Sequence, residues 1–222
     1  MDLVEAIKTR KSIRAFKPDP VPKDVLRRII EQAQRAPSWA NTQPWEFAVV
    51  SGKTLKAIQD GFMERGMQDP TSEVPRPYEF PEPYMARIRA LAPKDRSEMT
   101  EEEMKQRMLI NFKHYGATTC IYLLVDKSIL NQSKGVNVWS MYDSGSAVQN
   151  IMLLAVNEGL GTIAQAQAVV YPDIIRKHVD LPANKLIALG IAIGYPDKSD
   201  PGHQMQTSRE PLDNIVTFYG FD

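Results

Sequence analysis

Two apolar runs constrain what this chain can fold into more than any other feature. "ATTCIYLLVD", residues 117 to 126, and "KLIALGIAIG", residues 185 to 194, hold almost no polar side chain in their interiors. A strand with one solvated face alternates apolar and polar residues, whereas a run without alternation is covered on both faces. The two runs lie far apart in the chain, so their sheet is assembled from distant segments. "WEFAVVSG", closed by the turn pair Ser51-Gly52, reads as a third strand, and the tail "DNIVTFYG" as a last one.

Helices supply the covers. "DLVEAIKTR" places Leu3, Val4 and Ile7 at helical spacing. "PKDVLRRIIEQAQRAPS" puts Val25, Leu26, Ile29, Ile30 and Ala33 on one face, with Pro22 suited to a first helical position and Pro37 as the stop. "KTLKAIQDGFMERG" follows the third strand as a further helix. "MTEEEMKQRMLINFKHYG" opens on Thr100 and Glu103, a capping box. "MYDSGSAVQNIMLLAVNEG" is long and apolar nearly all round, with Gly159 as its C-cap, and "YPDIIRKHVD" starts a short helix at Pro172. The order lacks the regular alternation of a doubly wound fold. The expected class is therefore α+β, with residues 1–222 as one domain. One stretch breaks the pattern: residues 68 to 83 carry five prolines, which deny helix and central strand. Tyr78, Phe80 and Tyr84 argue against a plain linker, so the insert, to about residue 92, reads as a lid or packing arm.

Composition excludes several function classes. Lys+Arg and Asp+Glu both number 27, so the basic excess of a nucleic-acid binder is missing. His114, His178 and His203 show no metal-ligand spacing, and no phosphate-loop or nucleophile-elbow motif occurs. Cys120, the single cysteine, lies inside an apolar run and reads as a small buried hydrophobe rather than a nucleophile. No apolar run reaches the length of about 20 residues that a membrane helix needs. The N-terminal stretch lacks a signal-peptide core, and a cytoplasmic location is expected.

Four stretches carry candidate chemistry. "TRKSIRAF" gathers Arg10, Lys11 and Arg14 around Ser12 in a chain that is neutral overall. The cluster could be a solvated helix end favoured by the helix dipole, a nucleic-acid contact, or a grip on one small anion. "APSWANTQPWEF" sets Ser38, Asn41, Thr42 and Gln43 between two tryptophans, which fits recognition of a flat heterocycle or an ordinary helix-to-strand loop. "NEGLGTIAQAQ" reads as a helix C-cap and turn, with glycines that permit close backbone approach to a ligand. Arg209, in "TSREPLD", is either a surface arginine or a distant member of an anion site.

Taken in order, "RKSIRAF", "APSWANTQPWEF", "DSGSAVQN", "GLGT", "ALGIAIGYPD" and "SREPLDNIVTFY" resemble the FMN-dependent nitroreductase family over nearly the whole chain. "FPEPYMARIRA" followed by "NFKHYGA" is similar to its nitrobenzoate-reductase-like branch. The resemblance implies a central, mostly antiparallel sheet flanked by helices, in an intertwined homodimer. It implies that Arg10, Lys11, Ser12 and Arg14 hold the FMN phosphate, joined by Arg209. Forked guanidinium donors suit a phosphate dianion, and a compact cluster leaves net charge untouched. The loop Pro37, Ser38, Trp39 and Asn41, with Gln43 beside it, would lie against the partner's flavin. Trp39 departs from the small residue usual there and would narrow the pocket or add a stacking face. Ile163, Ala164 and Gln165 would offer backbone amides to the flavin N5 and O4 edge. The insert blurs the match in mid-chain, so the family's contact to the pyrimidine edge has no assigned residue.

The implied activity is NAD(P)H:acceptor oxidoreduction on FMN, with NADH or NADPH as donor. The acceptor would be a small nitroaromatic or quinone-like compound, reduced by ping-pong hydride transfer. The cofactor carries the chemistry, so no catalytic residue and no metal is called for. A reductive dehalogenase or enone reductase on the same scaffold, and a flavin-storage protein without turnover, are the alternatives.

Overall fold

Four strands form one antiparallel sheet in the order β1-β2-β6-β5: β1 Trp45–Ser51, β2 Thr119–Asp126, β5 Gly161–Gln165 and β6 Lys185–Gly194. They are seen in a computed structural model that describes all residues except 67, 76–78, 92–98, 132–134 and 222. The two apolar runs are the central pair, with Ile121 opposite Ile191, and every residue of β2 before Asp126 is buried. Alternate residues of β2 serve opposite faces, as the period of two requires. Ile121, Leu123 and Val125 face α2 (Lys23–Ala33) and α6 (Val138–Asn157), against Leu26, Ile29, Ala147 and Ile151. Cys120, Tyr122 and Leu124 face α3 (Gly52–Arg65), α5 (Glu101–Phe112) and α7 (Pro172–His178), against Ile58, Phe62, Phe112 and Ile175. The register against β6 slips between Leu123 and Leu124, leaving Ala188 as the extra residue. This bulge reverses the pleat, which is how Ile187 joins one core and Ile191 the other.

The helix ends follow the sequence closely. Thr100 and Glu103 make both hydrogen bonds of the capping box. Gly159 follows α6 with φ +74°, a left-handed position that only glycine adopts without strain.

Several expectations are corrected. Pro22 is the N-cap of α2 rather than its first helical residue. In α1 (Leu3–Thr9), Ala6 is the buried residue while Leu3, Val4 and Ile7 are exposed. The proline-rich insert contains a helix, α4 (Glu82–Ala90), because Pro83 falls in its first turn, where the missing N–H costs nothing. Tyr78 lies outside the described residues. "GTIAQ" is the edge strand β5 rather than a turn, and a two-residue ribbon pairs β3 (Leu130–Asn131) with β4 (Gly135–Val136). The tail is not a strand: it makes a short 3-10 turn at Leu212–Asn214 and leaves Ile215, Phe218, Tyr219 and Phe221 exposed. Strand-like alternation forms a strand only where another edge supplies its hydrogen bonds, and none of the described tail residues pairs with a strand.

Candidate functional site

The basic segment is docked on the free edge of β5. Ile13 N–H donates to the Thr162 carbonyl at 2.9 Å, and Ser12 bridges Thr162 in parallel. Phe16 N–H donates to the Tyr115 carbonyl and Lys17 N–H to that of Tyr195. Ile13 and Phe16 form a small apolar cluster with Ala117, Ile163 and Ala192. Burial of such side chains is worth roughly 1.5–3 kcal/mol each, enough to fix a short segment. Gly161 allows the close approach, since a Cβ there would meet Ile13 Cγ1 at 2.5 Å. With the apolar residues turned inward, Arg10, Lys11, Ser12 and Arg14 stay partly exposed beside β5.

The same geometry sorts the three β5 residues. Thr162 directs its carbonyl outward to Ile13, so the backbone of Ala164 faces the same free edge. The backbone N–H groups of Ile163 and Gln165 turn towards β6 instead. Among the three, Ala164 alone has both an exposed residue surface and an edge-facing amide. Gln165 contributes through its side chain. It is buried, Nε2 lies 3.4 Å from the Asn111 carbonyl and Oδ1, and Oε1 has no partner among the described residues. Tyr115 OH donates to Asn111 Oδ1 at 2.9 Å, so an amide-phenol network stands at the end of β5.

The loop before β1 is strained. Ala40, Asn41 and Gln43 have φ of 45°, 60° and 47°, a region where residues with a Cβ are uncommon. Such conformations persist only where the surroundings impose them, and they gather at functional sites. Ser38 Oγ accepts from Gln43 N–H at 3.0 Å, and Gln43 Nε2 donates to the Asn41 carbonyl. The buried Asp143 of α6 accepts from Trp39 N–H at 2.9 Å and ties the loop to the helix. Trp39 keeps 63% of its surface exposed and rests on Trp139, centroids 5.5 Å apart. Pro37 is exposed beside them.

Arg209 is turned onto its own segment, where its guanidinium donates to Thr207 and Ser208. The neighbouring Glu210 is ion-paired at 2.6 Å with Arg87 of α4. Cys120 is fully buried, with its thiol pushed up to about 12 by desolvation, which removes it as a nucleophile. Among the described residues no cluster of His, Cys, Asp or Glu could hold a metal ion, and no helix is long and apolar enough to cross a membrane.

Sequence reading missed Asp143, Asn111, Tyr115 and His203, whose carbonyl accepts from Lys11 Nζ. The left-handed backbone at His114 and Tyr115 gave no signal either, since neither residue is glycine.

The fold, an antiparallel sheet between two layers of helices, is of the nitroreductase type, as its likeness to solved nitroreductases shows. Residues 7–195 match the model of the Nitroreductase family, and the chain belongs to that family. It is 28% identical to a 4-nitrobenzoate reductase of Nocardioides sp. (strain LMS-CY), covering 96% of this chain and 87% of that one. Among solved structures it is similar to the FMN- and NADPH-dependent nitroreductase NfnB of Sphigopyxis sp. strain HMH, at 28% identity and a TM-score of 0.83 over the whole of both chains. The FMN-dependent NfnB of Mycobacterium smegmatis, solved with NADPH, is 26% identical with a TM-score of 0.82, covering 98% of this chain and all of that one.

Proposed function

We propose that this protein is an FMN-dependent NAD(P)H:acceptor oxidoreductase that reduces nitroaromatic or quinone-like compounds. The observation that carries the reading is the docking of Ser12 and Ile13 on β5, which lays the segment that carries Arg10, Lys11 and Arg14 along the same strand edge that the Ala164 amide faces. The residues fit the cofactor. Arg10, Lys11, Ser12 and Arg14 would hold the phosphate, with Arg209 released from its own loop to join them. The Ala164 amide would donate to the flavin edge, and the orphaned Gln165 Oε1 is an acceptor for a ring N–H. When bound, FMN supplies a hydride-accepting N5 that passes reducing equivalents from nicotinamide to acceptor. The donor and the acceptor would use one opening in turn, which makes the kinetics ping-pong.

A second copy of the chain completes the site in this reading. Leu3, Val4 and Ile7 of α1, the Trp39–Trp139 pair, and the tail side chains Phe218, Tyr219 and Phe221 are all exposed. A surface so rich in large apolar groups marks an interface. The loop of Ser38, Trp39, Asn41 and Gln43 would then reach the partner's flavin. Residues 68–92 would act as a cover. The insert is pinned at its root by Glu73, which accepts from Arg176 at 2.9 and 3.1 Å and from Ile187 N–H, whereas α4 buries no residue.

The test is spectroscopic. Purified protein should show flavin bands that bleach anaerobically with NADH or NADPH and return with a nitroaromatic. Bands that never bleach would indicate a storage protein, and failure to take up added FMN would refute the cofactor reading. Deleting residues 211–222 should yield a monomer or aggregate that has lost FMN. A stable dimer with full FMN would remove the tail from the interface.

A further inference from the structure

The chain beyond β6 turns back in a short 3-10 segment, Pro201–Gln204, that lies against the basic segment. Lys11 Nζ donates to the backbone carbonyl of His203. The imidazole of His203 is half-buried, and its Nδ1 is shut off from solvent with no partner among the described residues. Leaving a ring nitrogen out of water without a partner is costly, so such an atom calls for an explanation. The charged groups facing the ring are Lys11 from the basic segment and Lys198 and Asp197 from the turn after β6. Asp200, on the same turn, accepts His203 N–H through its carbonyl. The Asp197 carboxylate already accepts from Ser199, at 3.0 Å from the N–H and 2.6 Å from the hydroxyl. Burial, then Lys11 and Lys198, hold the ring below the usual imidazole range, and Asp197 offsets this only in part. A neutral imidazole therefore stands among cations, at the lysine that the proposed function assigns to a phosphate. An anion placed there would reverse the local potential and favour the charged ring.

We propose that His203 is a further ligand of the cofactor phosphate and binds it as the imidazolium, so that taking up FMN also takes up one proton. The inference rests on reading Arg10 to Arg14 as the FMN phosphate site. The proton comes from solvent and stays on the ring, with one ring N–H directed at a phosphate oxygen. No bond to the flavin forms or breaks. A charge-assisted contact of this kind is stronger than a neutral one and holds only while the ring is protonated. Cofactor retention thereby becomes pH-dependent through a residue outside the arginine cluster.

The chain has only three histidines, so each ring can be followed by NMR and assigned with H203Q. The measurement is the titration of His203 in the cofactor-free protein, with FMN, and with riboflavin, which lacks the phosphate. With FMN the midpoint should rise by about one pH unit, and with riboflavin it should stay. H203Q should bind FMN about tenfold more weakly at pH 6 and lose less at pH 8, with riboflavin affinity unchanged. FMN held on the protein with the His203 midpoint unmoved would overturn the inference alone, as would H203Q matching the parent at pH 6. Protein that takes up no FMN would overturn the cofactor reading and this inference with it.

Discussion

Beneath α3, α5 and α7, aromatic side chains lock together: Phe62, Phe112 and Tyr171 meet with centroids 5.5–5.9 Å apart, all three buried. At the start of α6 another aromatic trio also touches, Trp39 to Trp139 at 5.5 Å and Trp139 to Tyr142 at 6.4 Å, yet each ring keeps more than half its surface in solvent. The contacts are alike in kind. The difference is that one trio has helices over it, whereas among the described residues nothing covers the other. The first trio is thus part of a packed core, while the second stands in solvent next to the strained loop, where the proposed dimer would cover it.

Substitutions on the two sides should differ accordingly. Phe62→Ala removes a fully buried ring from the closed side and should cost about 3–5 kcal/mol in urea unfolding. A loss below about 1 kcal/mol would mean that this side relaxes as freely as the open one.

The closed side also hides His114, with Gln59 Nε2 3.4 Å from Nδ1 and Nε2 unpartnered among the described residues. Desolvation lowers this imidazole to about 4, below its value in the unfolded chain. The neutral ring belongs to the folded state, so stability is fully present above the unfolded pKa of about 6.5. It is lost as pH falls from there towards 4, by on the order of 2–3 kcal/mol. His114→Gln should flatten the slope between pH 6.5 and 4.5. An unchanged slope would assign the acid sensitivity to carboxylates instead.

Trp139→Ala on the open side should have the smallest effect on unfolding of the single chain, about 1 kcal/mol for two aromatic contacts that both stay largely in solvent. It should instead weaken self-association, read as a shift to the monomer in gel filtration at low micromolar concentration. A loss as large as that from Phe62→Ala would erase the distinction between the two sides.

What could be read from the sequence divides along physical lines. Apolar runs, capping residues and glycine stops act locally, so β2, β6, α5 and the end of α6 were legible. Pro83 misled because proline forbids a helix interior but suits a first turn, and the sequence alone does not say which applies. "GTIAQ" and "IVTFYG" are both short, and only the first finds a neighbouring edge. The cationic segment was visible as composition, whereas its place on β5 depends on Thr162, Tyr115 and Tyr195, far along the chain. The link from Trp39 to Asp143 and that from Lys11 to His203 are long-range in the same way.

The seating of Ser12 and Ile13 on β5 has a second consequence, for solubility. β5 is the outermost strand on its side of the sheet, and an uncovered outer strand is a template for pairing with other molecules. The hydrogen bonds that hold the cations in place also shield that template. Enlarging Gly161, where a Cβ would collide with Ile13, would dislodge the segment and uncover the strand in one event. Loss of the proposed phosphate grip and aggregation would then arrive together, and selection against either would preserve the same glycine.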